Sequence, residues 1–364
     1  MRKLFSILCI LFSVVFVVSC HNGGELNNSR KKVTATLSGK VLQVKDFPAG
    51  NLFGTIDGYL LFQVYRRDTG RVVIYKIDGD SLKYAAGIIN KGRGPHEFIY
   101  VEFSISKDTL YVSNSSPSGG ILDIWGIPLD DISNIKDYSR WKDYKWSGQD
   151  IMNGLSFVKI KDSEFLISGA VNNTRHFLSK IDFSTNKLHQ FDLWPKDSTA
   201  APVSLKQFEY TQSKLFTNNG KLLYACLEGR YMFISKIGDN TLGQPVEIYS
   251  HLPDYKLGHD GQNLKHNEDC EYGIYPYTTS RFIYAQLSRS RKEINASADY
   301  KGYPPYYFDE IEVYDWNGKF IGNFKTDRPF FTFAVSPDDS FIYTLSMDLQ
   351  TKERAIMRYQ LPKL

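Results

Sequence analysis

Ser336-Pro337-Asp338-Asp339-Ser340-Phe341-Ile342-Tyr343 is a polar turn running straight into a short apolar strand, and the same pattern recurs along the chain. Its counterparts are Ile56-Asp57-Gly58-Tyr59-Leu60-Leu61-Phe62, Ser106-Lys107-Asp108-Thr109-Leu110-Tyr111-Val112 and Lys161-Asp162-Ser163-Glu164-Phe165-Leu166-Ile167. Asn218-Asn219-Gly220-Lys221-Leu222-Leu223-Tyr224 and Thr278-Thr279-Ser280-Arg281-Phe282-Ile283-Tyr284 complete the set. With Leu61, Leu110, Phe165, Leu222, Phe282 and Phe341 as anchors, the spacings are 49, 55, 57, 60 and 59 residues. Repeats of about 20–50 residues or slightly more indicate propellers or arrays.

A second apolar strand follows each anchor: Val72 to Ile77, Ile121 to Ile127, Phe177 to Phe183, Tyr231 to Ile237, Ile311 to Trp316 and Ala355 to Leu361. Most units add a third, such as Leu82 to Ile88, Leu188 to Leu193, Val246 to Ser250 or Lys319 to Lys325. Another apolar run precedes each anchor, for example Phe98 to Ile105 and Phe330 to Val335. Four antiparallel strands per unit, six times over, predict an all-β, six-bladed β-propeller. The last unit stops after three strands, and Gly39 to Val44 is left over at the other end. Pairing that strand with the last blade is the expected closure, because it hides two edges. Asp130 to Trp146 is irregular where the second blade needs its outer strand. Aromatics make up 15% of the chain and sit in short alternating runs, which favours strands over long helices.

The N-terminus carries a different signal. Arg2 and Lys3 precede an apolar run from Leu4 to Val18, with small Ser19 before Cys20. This is the layout of a secretory signal peptide over residues 1–19, too short to span a bilayer. Val17-Val18-Ser19-Cys20 resembles a lipobox, which implies a lipid on Cys20 and a membrane tether. His21 in place of Asp after that Cys points to the outer membrane of a cell envelope. Residues 20–32 read as a polar, flexible tether and residues 33–364 as the propeller.

The Ser336–Tyr343 stretch resembles the repeat turn of TolB-like propellers. Lys91-Gly92-Arg93-Gly94-Pro95-His96-Glu97-Phe98 resembles the Gly-Pro-x-Glu-Phe element of six-bladed, TolB-like lipoproteins of the Bacteroidetes type. The resemblance implies the fold from about residue 33 onward; it brings no general activity with it.

The 44 basic and 40 acidic residues come nearly level once Arg2 and Lys3 leave with the signal, so nothing points to nucleic acid. Strand alternation places turns within the first and last strand pairs of a blade on one face and all other connections on the opposite face. The long segments, 252–271, 288–308, 194–207 and 92–97, fall on that second, loop-rich face. Long loops in compact domains are often functional. Tyr300, Tyr303, Tyr306 and Tyr307 form the densest loop aromatic cluster, suited to sugar faces or peptide side chains, or to packing as a lid. His96 and Glu97 stand where an inner strand is expected to begin and are candidates for reaching the channel, with Glu97 alternatively bonding nearby amides. Asp260, Glu268 and Asp269 offer oxygen ligands in one loop, but the spacing matches no calcium loop and the neighbouring His259 and His266 suit that ion poorly, so no metal site is expected there. Cys226 and Cys270 fall on the same face, within reach of a disulfide or left as two thiols.

There is no nucleophile elbow, no metal-ligand spacing and no cofactor motif. The expectation is a non-enzymatic binding or scaffold module for a glycan, peptide or partner protein at the loop-rich face. The alternative is a propeller enzyme acting on a carbohydrate or lactone.

Overall fold

The computed structural model describes residues 31–364 apart from 49, 65–69, 93, 95, 99–100, 116–121, 149–150, 270–272, 291, 294–307 and 349. The signal segment with Cys20, Cys270, and Tyr300, Tyr303, Tyr306 and Tyr307 therefore lie outside the described residues.

Six four-stranded antiparallel blades stand around a central channel. Blade one comprises β3 (Gly50–Ile56), β4 (Tyr59–Val64), β5 (Val72–Asp78) and β6 (Ser81–Ile88), from the channel outward. Blade two follows with β7 (Glu102–Ser106), β8 (Thr109–Ser115), β9 (Leu122–Pro128) and β10 (Lys142–Lys145). Blade three has β11 (Met152–Lys161), β12 (Glu164–Ala170), β13 (Leu178–Asp182) and β14 (Lys187–Gln190). Blade four has β15 (Ser213–Asn218), β16 (Lys221–Cys226), β17 (Tyr231–Lys236) and β18 (Val246–Ser250). Blade five is β21 (Ile274–Thr278), β22 (Phe282–Leu287), β23 (Phe308–Asp315) and the first half of β24 (Phe320–Val335). The second half of β24 opens blade six, followed by β25 (Phe341–Met347) and β26 (Arg354–Gln360).

Two N-terminal strands lie at the outer rim. β2 (Gly39–Val44) pairs antiparallel with β26 and, through Gln43 and Val44, parallel with β6 of blade one. β1 (Ala35–Leu37) runs parallel to the first half of β24. Residues 31 and 32, the last two of the expected tether, are among the described residues. Lys31 already donates its backbone N–H to Glu312 Oε1 at 2.9 Å, and its carbonyl accepts from Asn323 Nδ2 at 2.8 Å.

The anchors are apolar runs because their strands are covered on both sides. Successive residues of a strand point to opposite faces. In β4, Leu60 and Phe62 pack with Tyr343, Leu345 and Ile356 of blade six, whereas Leu61 packs with Leu110 and Val112 of blade two. In β16, Leu222 and Tyr224 face Leu166 and Leu178 of blade three, while Leu223 and Ala225 face Ile283 and Ala285 of blade five. The core is thus divided into clusters between neighbouring blades, and each anchor serves one of them. Truncating one such side chain to Ala costs about 2–5 kcal/mol.

Three sequence expectations need correcting. Lys319–Lys325 and Phe330–Val335 are not separate strands but parts of one sixteen-residue strand, β24, whose register shifts against β23 between Lys325 and Phe330 and against β25 between Phe330 and Thr332. Blade two does have an outer strand, β10. The irregular stretch before it forms two short 3-10 turns capped by Asp131 and Asp137, which delay the strand. The 194–207 connection runs into an α-helix, α1 (Val203–Thr211), which ends just before β15.

Candidate functional site

The innermost strands β3, β7, β11, β15, β21 and β24 enclose a cavity of about 1090 Å³. Each of these, for β24 its second half, is the channel-side end of its blade, so its channel-side N–H groups need partners other than a next strand. Side chains of other blades supply them. Leu52 N–H donates to Thr332 Oγ1 at 3.1 Å, Thr55 N–H to Tyr277 Oη at 3.1 Å, and Leu215 N–H to Ser156 Oγ at 2.8 Å. Thr55 Oγ1 in turn donates to Val335 O at 2.7 Å. These bonds tie the channel edges of blades one and four to side chains and backbone of other blades.

The wall mixes aromatic and polar side chains. Phe53 and Phe103 stack at 4.8 Å with their planes 20° apart, and Phe216, Tyr277 and Phe333 also line the cavity. One ion pair crosses the channel, from Glu102 Oε2 on β7 to Lys214 Nζ on β15, at 3.8 Å. Burial pushes the Glu102 carboxyl up, with Lys214 acting in the opposite direction. Glu102, Lys214, Asn51 and exposed Tyr275 stand at the loop-rich end, where their strands begin. The opposite end is ringed by turn residues, including Lys107, Lys161, Asn219 and Ser280. The Asn219-Gly220 turn holds positive φ at both positions, 47° and 73°, as a tight hairpin requires. The cavity therefore reaches both faces, and the sequence pointed to only one of them.

The structure places the sequence candidates unevenly. His96 and Glu97 are not in the channel wall, because β7 begins only at Glu102. His96 has a φ of 59° and turns its ring outward, stacking on Tyr138 at 4.2 Å and meeting Trp125 and Trp141 edge-on at 4.9 and 5.5 Å. Glu97 accepts a bond from Gly94 N–H at 2.9 Å, which holds the turn together. Phe308, which follows the Tyr300–Tyr307 run, is buried and lines the cavity.

Cys226 is a free, wholly buried thiol, and its sequence candidate for pairing, Cys270, lies outside the described residues. The His259 loop is the tip of a small hairpin, β19 (Tyr255–Leu257) with β20 (Leu264–His266). Asp260 there accepts from Gln262 N–H, Asn263 N–H and Asn263 Nδ2, so its oxygens are spent on the turn. His266 leaves that loop and meets Glu209 of α1, a partner the sequence did not suggest.

Comparison with known proteins follows the same outline. The model of the TolB-like six-blade propeller-like family matches residues 74–338. Among solved structures, the chain is similar to a member of the DUF4221 family from Bacteroides vulgatus, at 11% identity over 92% of this chain and 98% of that one, with a TM-score of 0.48. It is also similar to the β-propeller domain of Myceliophteria thermophila Cps50 (Swd1), at 9% identity over 89% and 100% of the two chains, with a TM-score of 0.43. No curated protein matches it.

Proposed function

The chain belongs to the TolB-like six-bladed propeller family, and from that premise we propose that it is a non-enzymatic binding module, tethered to the cell envelope, that takes a glycan or peptide into its central channel. The cavity itself carries this reading. At about 1090 Å³ it lies just above the range of typical small-ligand pockets, about 300–1,000 Å³, so it suits an oligosaccharide or a short peptide segment rather than a folded partner. Aromatic walls offer faces for sugar rings or apolar side chains. The Glu102–Lys214 pair supplies one acceptor and one donor that fix orientation.

The wall also speaks for binding over turnover. Two of its acids are already engaged: Glu102 pairs with Lys214, and Glu164 with Lys180 at 3.4 Å. No His or Cys stands among the described lining residues.

The lipid anchor belongs to the same reading. Lys31 is fixed beside blade five at the outer rim, and the eleven residue steps back to Cys20 reach at most about 35–40 Å. A lipid on Cys20 would hold the propeller by its rim, close to the membrane, and away from the channel axis.

The test is a glycan array and a peptide library screened against the detergent-solubilised full chain, with Phe103→Trp as the channel-filling control. Binding to one library that the control abolishes supports the proposal. Turnover of a bound sugar, or binding indifferent to Phe103→Trp, refutes it.

A further inference from the structure

Away from the channel, side chains from three separate segments meet on the loop-rich face of blade four. Glu209 lies near the end of α1, Glu228 follows β16 in the turn into β17, and His266 ends β20. His266 Nε2 stands 2.8 Å from Glu209 Oε2 and 3.8 Å from Glu228 Oε2. One ligand atom from each residue lies within 4.8 Å of the others. We propose that these residues bind one divalent transition-metal ion, with zinc the best fit, and leave a coordination position open toward solvent.

The spacing fits a single ion. Bonds of about 2.0–2.1 Å in tetrahedral array put neighbouring ligand atoms about 3.3–3.4 Å apart. The 2.8 and 3.8 Å separations bracket that value, so small side-chain adjustments admit an ion between them. The donor set chooses the metal. Calcium and magnesium take oxygen ligands, whereas an imidazole with carboxylates suits zinc and its neighbours. Charge agrees as well, since two carboxylates around a neutral imidazole carry the two negative charges that a divalent ion balances.

The imidazole is positioned in advance. Tyr255 lies edge-on to the His266 ring at 6.0 Å, and its own hydroxyl donates to buried Asp197. Asp197 is in turn held by Tyr210 Oη at 3.0 Å and by Lys206 Nζ, both from α1, the helix that carries Glu209. Helix and hairpin are thus locked together beside the site, which lowers the cost of orienting the ligands. Side-chain exposure rises from 6% at Glu209 through 18% at His266 to 25% at Glu228. The fourth position accordingly opens on the Glu228 side, where water or an anionic ligand group can enter.

This site is independent of the channel reading. The experiment uses the full chain, treated with a chelator, dialysed and titrated with zinc chloride. Elemental analysis should give one zinc per chain, and titration calorimetry should show at least tenfold weaker binding for Glu228→Gln and His266→Ala. His259→Ala, at the exposed hairpin tip, should bind like the parent. Zinc should raise the melting temperature of the parent but not that of Glu228→Gln. Replacement by Co²⁺ should give the visible absorption bands of a low-coordinate site, absent in His266→Ala. If His266→Ala fails to fold by circular dichroism, Glu228→Gln, at the solvent edge, decides alone. Equal zinc affinity in the parent and Glu228→Gln, or none in either, overturns the proposal and leaves a plain His–Glu ion pair. A preference for calcium over zinc overturns it too.

Discussion

Glu102 and Lys214 belong to the inner strands of blades two and four, yet their charged atoms lie 3.8 Å apart, so the pair bridges past the inner strand of blade three. It is a contact between elements more than a hundred residues apart in sequence. Desolvation pushes the carboxyl up and only the lysine opposes it. A carboxyl whose folded pKa is raised contributes stability below its unfolded pKa and loses it as pH rises through the folded value. Lys214→Met removes the opposing charge and so widens that loss. Thermal unfolding should show a larger deficit for Lys214→Met at neutral pH than near pH 4, and Glu102→Gln in the same background should recover most of it. A deficit independent of pH would mean that the lysine acts by packing alone.

Glu312 is the second buried carboxylate to test. It is 2% exposed, and Oε2 accepts from the hydroxyls of Tyr249 and Tyr314 while Oε1 accepts from Lys31 N–H. Its partners come from blade four, blade five and the N-terminal segment, so one side chain ties all three. Hydrogen bonds to a charged group are each worth about 1.5–3 kcal/mol. Glu312→Gln should therefore cost about 2–3 kcal/mol by denaturant unfolding, and Tyr249→Phe roughly half as much. Limited proteolysis should also cut the Glu312→Gln variant sooner near Lys31 than the parent.

The parts of this molecule that showed in its sequence are those buried on both sides. Leu60-Leu61-Phe62 and Leu222-Leu223-Tyr224 stand out because neighbouring blades cover both faces of their strands. The inner strands are less legible, since one face looks into a mixed channel: Glu102-Phe103-Ser104-Ile105-Ser106 is intermediate in exposure throughout. Glu102 accordingly stood unnoticed inside an apolar run, and Glu97 drew attention instead. α1 escaped for the opposite reason. The residues it buries are Lys206, Gln207, Glu209, Tyr210 and Thr211, mostly polar, while Phe208 is 52% exposed, so no apolar periodicity marks it. Without that helix, Glu209 has no visible route to His266, which the sequence marked only as one polar residue of a long loop.

Cys226 offers a chemical check on the packing of blade four. The thiol is fully buried among Tyr210, Tyr224 and Tyr231, and burial pushes its pKa up to about 12. The thiolate is the reactive form, so near pH 8 the native protein presents almost none of it. Iodoacetamide should leave Cys226 unlabelled in the folded chain and label it fully in concentrated guanidinium, as read by peptide mass. Rapid labelling of the native chain would show that this core opens on the timescale of the reaction.

Asp197 makes the sharpest pH prediction, because its environment works in two directions. Burial raises its pKa, but bonds from Tyr255, Thr199 and Tyr210 outweigh that and hold it below the ordinary carboxylate value. Thr199 contributes its N–H at 2.9 Å and its hydroxyl at 2.7 Å, and Lys206 Nζ lies 3.4 Å away. A depressed folded pKa adds stability above the unfolded value, about 3.9, and that stability is lost as pH falls through the folded pKa. Asp197→Asn should thus cost about 2–4 kcal/mol at neutral pH, where a charged acceptor of several bonds is replaced by a neutral group that also brings unwanted donors. The gap should narrow below pH 4, as the parent's own carboxyl becomes protonated. Denaturant unfolding of both proteins across this range measures it directly. A constant gap would assign the loss to the amide's misplaced donors and not to the charge. If the gap narrows, the carboxylate is what locks α1 to the β19–β20 hairpin, and the Glu209–His266 geometry should loosen at the same acid pH.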